Sequence, residues 1–198
     1  MTPDKTHVAR RQLGVALALF LEDLDPIVVH VLACTAGEVA EYLAVKASGQ
    51  PFSARALATF RNRCWQDIRR VRNQFWSSFR HATTHDLDEE GYNTLMSGFS
   101  DLQNDHALLM GWYDLMLACK KLPIEAQVFQ SWYFALYPEQ LGSDADVSRY
   151  EALFPRLRDL PRSDQKSALR DAIELARQDP AIMNDPATEQ GYLIQRCD

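Results

Sequence analysis

Residues 64–82 read CWQDIRRVRNQFWSSFRHA, and two stripes run through them at once. Ile68, Val71, Phe75, Phe79 and Ala82 recur at intervals of three or four, the spacing of one apolar face of an α-helix. Trp65, Arg69, Arg72, Trp76 and Arg80 keep the same spacing one side-chain step round, so a single line along the helix interleaves indole with guanidinium. A strand would need two-residue alternation, and neither stripe has it. The stretch therefore reads as helix from about Ser53 to Ala82, with a break near Asn62.

The same period holds on both sides. A first helix is expected from Lys5 to Leu24 with Leu13, Leu17, Phe20 and Leu24 on one face. Asp25-Pro26 supplies an N-cap and a proline at the first helical position for a second, from Pro26 to about Ala47, which Gly49-Gln50-Pro51 ends. Further helices are expected at Glu89–Leu102, at Asp105–Cys119, from Leu122-Pro123 to Tyr137, and at Ser163–Gln178 with Leu169, Ile173 and Leu175 inside. The class is all-α, a single helical bundle of about six to eight helices. Residues 1–160 form the bundle, and residues 161–198 add a C-terminal helix and an arm packed on the same domain, the last fifteen residues loosely held.

With 198 residues, 46% of them hydrophobic, the chain has ample material for one core. The apolar run Leu13–Leu21 is too short to span a bilayer and charges interrupt Met1–Arg11, so the expected place is the cytoplasm, away from membranes. Cys34, Cys64, Cys119 and Cys197 form no C-x-x-C pair, and the first three sit in apolar helical patterns, as reduced core thiols do. The five histidines lack ligand spacing, and Glu38, Glu41 and Asp114 have no partner legible in the sequence, so neither metal nor cofactor is expected. Glycine-rich phosphate loops and a G-x-S-x-G elbow are absent, which removes the main sequence support for dinucleotide, P-loop and serine-hydrolase chemistry.

Charge is uneven. Residues 51–85 hold seven arginines against one acid, Asp67, and carry +6, so the remainder carries −12 of a net −6. A basic ridge on an acidic body can bind RNA, can dock a second copy or an acidic partner, or can pair with acids on neighbouring helices. The ridge leads into Arg80-His81-Ala82-Thr83-Thr84-His85, where a guanidinium able to fork onto phosphate stands five residues from an imidazole able to move a proton near neutral pH.

Arg80, the polar His81 and then His85 resemble the signature of the HEPN (higher eukaryotes and prokaryotes nucleotide-binding) superfamily of helical bundles. The chain is also similar to a bacterial HEPN-like group in its early Asp-Pro helix with a buried histidine (Asp25-Pro26 and His30), its Phe79-Arg80-His81-Ala82 corner and its Trp132-Tyr133 pair. It differs from that group in carrying Arg80 for lysine and in having His85. The resemblance spans about Leu19–Pro138 and implies a homodimer that binds RNA or a nucleotide, with metal-independent endoribonuclease activity of toxin or defence type. It further implies Arg80, His85 and His81 as catalytic residues, with Arg69, Arg72 and Trp76 contacting the nucleic acid. A second reading stands beside it: a non-catalytic helical dimer serving as a scaffold or antitoxin-like protein partner, with His81 as a hydrogen-bonded corner residue.

Overall fold

The computed structural model describes residues 4–52, 54, 73, 75–79, 88–141 and 146–195, and among these nearly all regular structure is helical. The chain is an all-α helical bundle. In chain order the described elements are α1 (Lys5–Leu21), α2 (Pro26–Ser48), α3 (Glu89–Ser97), α4 (Leu102–Cys119), β1 (Leu122–Pro123), α5 (Ile124–Leu136), α6 (Ser148–Leu153), α7 (Arg162–Arg177), α8 (Pro180–Met183) and β2 (Thr188–Glu189). Residues 75–79 are helical as well.

The centre is a layer of α1, α2 and α4. Aspartates open α1 and α2: Asp4 accepts from His7 N and Asp25 from Ile27 N, which satisfies backbone donors that a helix start leaves unpaired. The buried face of α2 is small, with Ala33, Ala36, Gly37, Ala40 and Ala44, so neighbouring backbones approach closely. Length and apolar composition alone would let α2 cross a bilayer. In this fold it lies between α1 and α4 as a core helix, with Val29 and Ala33 fully buried. On the other side α5 delivers Phe129 and Trp132 to Phe20 of α1, with ring centroids 5.7 and 5.9 Å apart in edge-on geometry.

Four sequence expectations change. Helix α1 stops at Leu21 rather than Leu24, because Asp23 turns left-handed (φ 55) and Leu24 N–H bonds back to Leu19 O at 3.0 Å, closing the helix; Leu24 is 51% exposed. The break between α3 and α4 falls at 98–101, where Gln103 Oε1 accepts from both Ser100 N and Oγ at 2.8 Å, so α4 begins at Leu102. Leu175 is 69% exposed, being two residues (200°) on from the buried Ile173, and Ala176 takes the inner position. Through residues 188–193 the tail is docked, not loose. Thr188 and Glu189 pair in parallel with Leu122 and Pro123, Arg10 Nε donates to Glu189 Oε2 at 2.7 Å, and Arg10 Nη1 donates to Leu193 O at 3.0 Å. Glycine at position 14 permits this, since a Cβ there would stand 2.4 Å from Leu193 O.

Candidate functional site

Three consecutive residues at the start of α4 organise one end of the bundle. Asn104, Asp105 and His106 step round the helix by about 100° each, so each meets a different neighbour. Asn104 Nδ2 donates to Pro26 O at 2.9 Å, which leaves its Oδ1 to accept from His30 Nδ1 at 3.0 Å. The other nitrogen of His30 lies 3.4 Å from Cys34 Sγ. His30 is fully buried, as a satisfied core histidine, and three phenylalanine rings stand edge-on to it: Phe99 at 5.3 Å, Phe79 at 5.8 Å and Phe75 at 6.3 Å. The Asp25-Pro26 helix and Phe79 therefore meet at one imidazole.

Asp105 is fully buried and takes a two-pronged contact from Arg162, with Nη2 to Oδ1 at 2.5 Å and Nη1 to Oδ2 at 3.0 Å, plus the Tyr137 hydroxyl at 2.8 Å. Burial pushes its carboxyl up to about 6, against the Arg162 charge and these hydrogen bonds. Against its own desolvation, Arg162 is held charged by Asp105 and Asp101, and it lies over the Phe20 and Trp132 rings at 5.4 and 5.3 Å. Lys166 closes the cluster: its Nζ is 2.9 Å from Asp101, 2.6 Å from Asp23 and 4.3 Å from the Phe20 ring centre. Although burial alone would raise it, Asp101 stays below the usual carboxylate range under the charges of Arg162 and Lys166.

His106 shares a 2.7 Å hydrogen bond with Tyr133 Oη, and burial, helped by the Arg162 charge, drops its pKa to about 4. It stays neutral at physiological pH. Because Asp105 has no exposed surface and all three of its contacts are donors, this cluster clasps α4, α5 and α7 together and offers a substrate no open position.

Arg80, His81 and His85, with Arg69 and Arg72, lie outside the described residues. Trp76 is half-buried, packs against the core and donates from Nε1 to Thr35 Oγ1 at 3.4 Å. Asp114, for which the sequence shows no partner, is buried and accepts from Phe52 N at 2.6 Å. Among the described residues no group of His, Cys, Asp and Glu is arranged to hold a metal ion. The sequence reading missed the Asp105–Arg162 clasp; its one local signal is the run of three polar residues, Asn104-Asp105-His106, opening an otherwise apolar helix. No family model, curated protein or solved structure matches the chain.

Proposed function

We propose that this is a HEPN-like cytoplasmic protein that acts as a homodimer, binds RNA or a nucleotide at the Arg80–His85 corner and cleaves RNA without a metal. One observation supports the reading above the others: Phe79, the residue directly before Arg80, packs on buried His30 at 5.8 Å, and His30 is itself fixed by Asn104. A corner built on that anchor has a rigid base, and positioning is what a two-residue acid/base site needs most.

In this scheme His85 takes the proton from a ribose 2′-hydroxyl as that oxygen attacks the adjacent phosphorus. Arg80 neutralises the charge building on the equatorial oxygens, and the P–O5′ bond breaks to leave a 2′,3′-cyclic phosphate and a 5′-hydroxyl end. His81 orients the phosphate, Arg69 and Arg72 hold neighbouring phosphates, and Trp76 offers aromatic surface beside them. General-base action of this kind is worth about 10²–10⁴-fold, so His85→Ala should all but abolish cleavage.

The test is purified protein with mixed RNA in EDTA, comparing the wild type with Arg80→Ala and His85→Ala. Cleavage by the wild type that leaves cyclic phosphate ends and fails in both variants is expected. A silent wild type, or full activity in both variants, refutes it. The scaffold reading draws on a different observation, the exposed apolar side chains Leu153, Leu175 and Ile182 around one groove beside α5 and α7. It predicts an intact homodimer that leaves RNA uncut.

A further inference from the structure

The other end of α4 carries a second feature, about 24 Å from Asn104 at about 1.5 Å per helical residue. A hollow of about 420 Å³ opens there between the end of α4, the outer side of α5 and the start of α6. That volume falls in the range of about 300–1,000 Å³ that encloses small organic ligands, and it is far more than a bare inorganic anion fills.

Its lining is chemically one-sided. Lys120 and Arg149 both border it, and among the described residues no carboxylate does. Neither cation has an acid within ion-pair distance among those residues. Arg149 Nη2 donates to Tyr150 Oη, and the acid whose field also reaches it, Asp146, is already taken by Ser148 N and Oγ at 3.0 and 2.5 Å. Gln130 adds a donor: its Nε2 is buried at the hollow with no partner, and an unpaired buried N–H is costly unless something arrives to accept from it. Tyr113 adds another, since burial and the neighbouring Tyr150 push its hydroxyl up to about 12 and keep it protonated. Lys120 sits at the α4 C-cap in the left-handed region (φ 62), where glycine would cost less.

The walls are aromatic and apolar. Phe134 stands between Tyr113, 6.2 Å away edge-on, and Tyr150, 5.5 Å away, and Arg149 lies over the Tyr150 ring at 4.4 Å. Met116 and Leu153 complete them. Two cations with two neutral donors match a phosphomonoester, which carries about −1.5 to −2 and three acceptor oxygens, better than a carboxylate with one charge. An aromatic wall suits a planar ring attached to it.

We propose that this hollow binds a small phosphomonoester bearing a planar ring, the class to which nucleoside 5′-monophosphates belong. The proposal rests only on residues of α4, α5 and α6 and stands or falls independently of the Arg80–His85 reading.

The experiment is calorimetric titration of the full-length protein with AMP and with UMP, set against adenosine (ring without anion) and inorganic phosphate (anion without ring). At least one nucleotide should bind at about 1 mM or tighter, with adenosine and phosphate each at least about 10-fold weaker. Arg149→Met and Lys120→Met should each weaken it at least about 10-fold, and Gln130→Leu should weaken it measurably, with circular dichroism and melting temperature checking that the variants fold. Lys46→Met, an exposed cation in the last turn of α2 and outside the hollow, should bind as the wild type does. No nucleotide binding, equal binding of adenosine, or binding lost in Arg80→Ala but kept in Arg149→Met overturns the proposal.

Discussion

Replacing His106 with glutamine removes one proton-binding site while keeping a side chain able to reach Tyr133 Oη. In the folded chain the imidazole pKa falls from 6.5 to about 4, mainly through burial. A base whose pKa is lowered on folding contributes stability that is complete above the unfolded value and is lost as pH falls toward the folded one. The gap from 6.5 to about 4, at about 1.4 kcal/mol per pH unit, makes that contribution about 3 kcal/mol. Asp105, the preceding residue, has the opposite sign. Its carboxyl rises from 3.8 to about 6, so its contribution is complete below 3.8 and is lost as pH rises through 6, again about 3 kcal/mol. Between pH 4 and 6 the two slopes offset each other in the wild type. His106→Gln unmasks Asp105, and the variant gains about 3 kcal/mol relative to the wild type between pH 7 and 4. Asp105→Asn unmasks His106, and its relative stability falls over the same range. Urea unfolding at four pH values, followed by circular dichroism, gives both curves. Comparing each variant with the wild type cancels the other carboxylates. A His106→Gln difference that varies by less than about 0.5 kcal/mol from pH 7 to 4 refutes the reasoning.

Three further substitutions test the packing. Arg162→Met strands the fully buried Asp105 charge and should cost about 3–5 kcal/mol, whereas Lys166→Met should cost distinctly less, because Asp101 and Asp23 are 23% and 60% exposed and reach water; equal losses in chemical denaturation would contradict that ranking. Gly14→Ala gains helix propensity in α1 but drives a methyl into Leu193 O, so hydrogen exchange at residues 188–195 should rise while α1 stays protected; unchanged tail exchange would show that the tail is not seated by this contact.

Much of the bundle was legible because its punctuation is local. Asp25-Pro26 and Gly49 bound α2 as written, and the period placing Leu13, Leu17 and Phe20 inward needs no knowledge of what they meet. Leu175 breaks the period of its own helix, 200° from Ile173, while the other readings that changed depend on a partner far along the chain, or on which of two adjacent turns closes first. Leu24 continues the period of α1 but lies beyond the left-handed turn at Asp23 that closes the helix. The tail reads as an arm because Glu189 and Leu193 have no local pattern, and their partner Arg10 is some 180 residues away. Asp105 and Arg162 stand 57 residues apart, and no spacing rule pairs them. Of the candidate site, the sequence put His30 in the core, where it is, but could not show that Phe79 would be one of the rings around it.

That contact changes what the Arg80–His85 corner would have to work against. Consecutive helical residues diverge too widely to serve one neighbour, so Asn104, Asp105 and His106 tie α4 separately to α2, to α7 and to α5 within one turn. Each tie is at least partly buried, and each leaves a polar group stranded if its partner departs, so the three resist displacement together. Phe79 packs on the first of them through His30 and shares its aromatic pocket with Phe75 and Phe99. Phe79 itself is held in this pocket by ring contacts to His30, Phe75 and Phe99. A catalytic pair just beyond it would owe its rate to a fixed origin, and a structural histidine there would owe its burial to the same origin. The two readings of the corner therefore separate at His85 and not at His81, because the further residue alone has to return toward Arg80 for chemistry to occur.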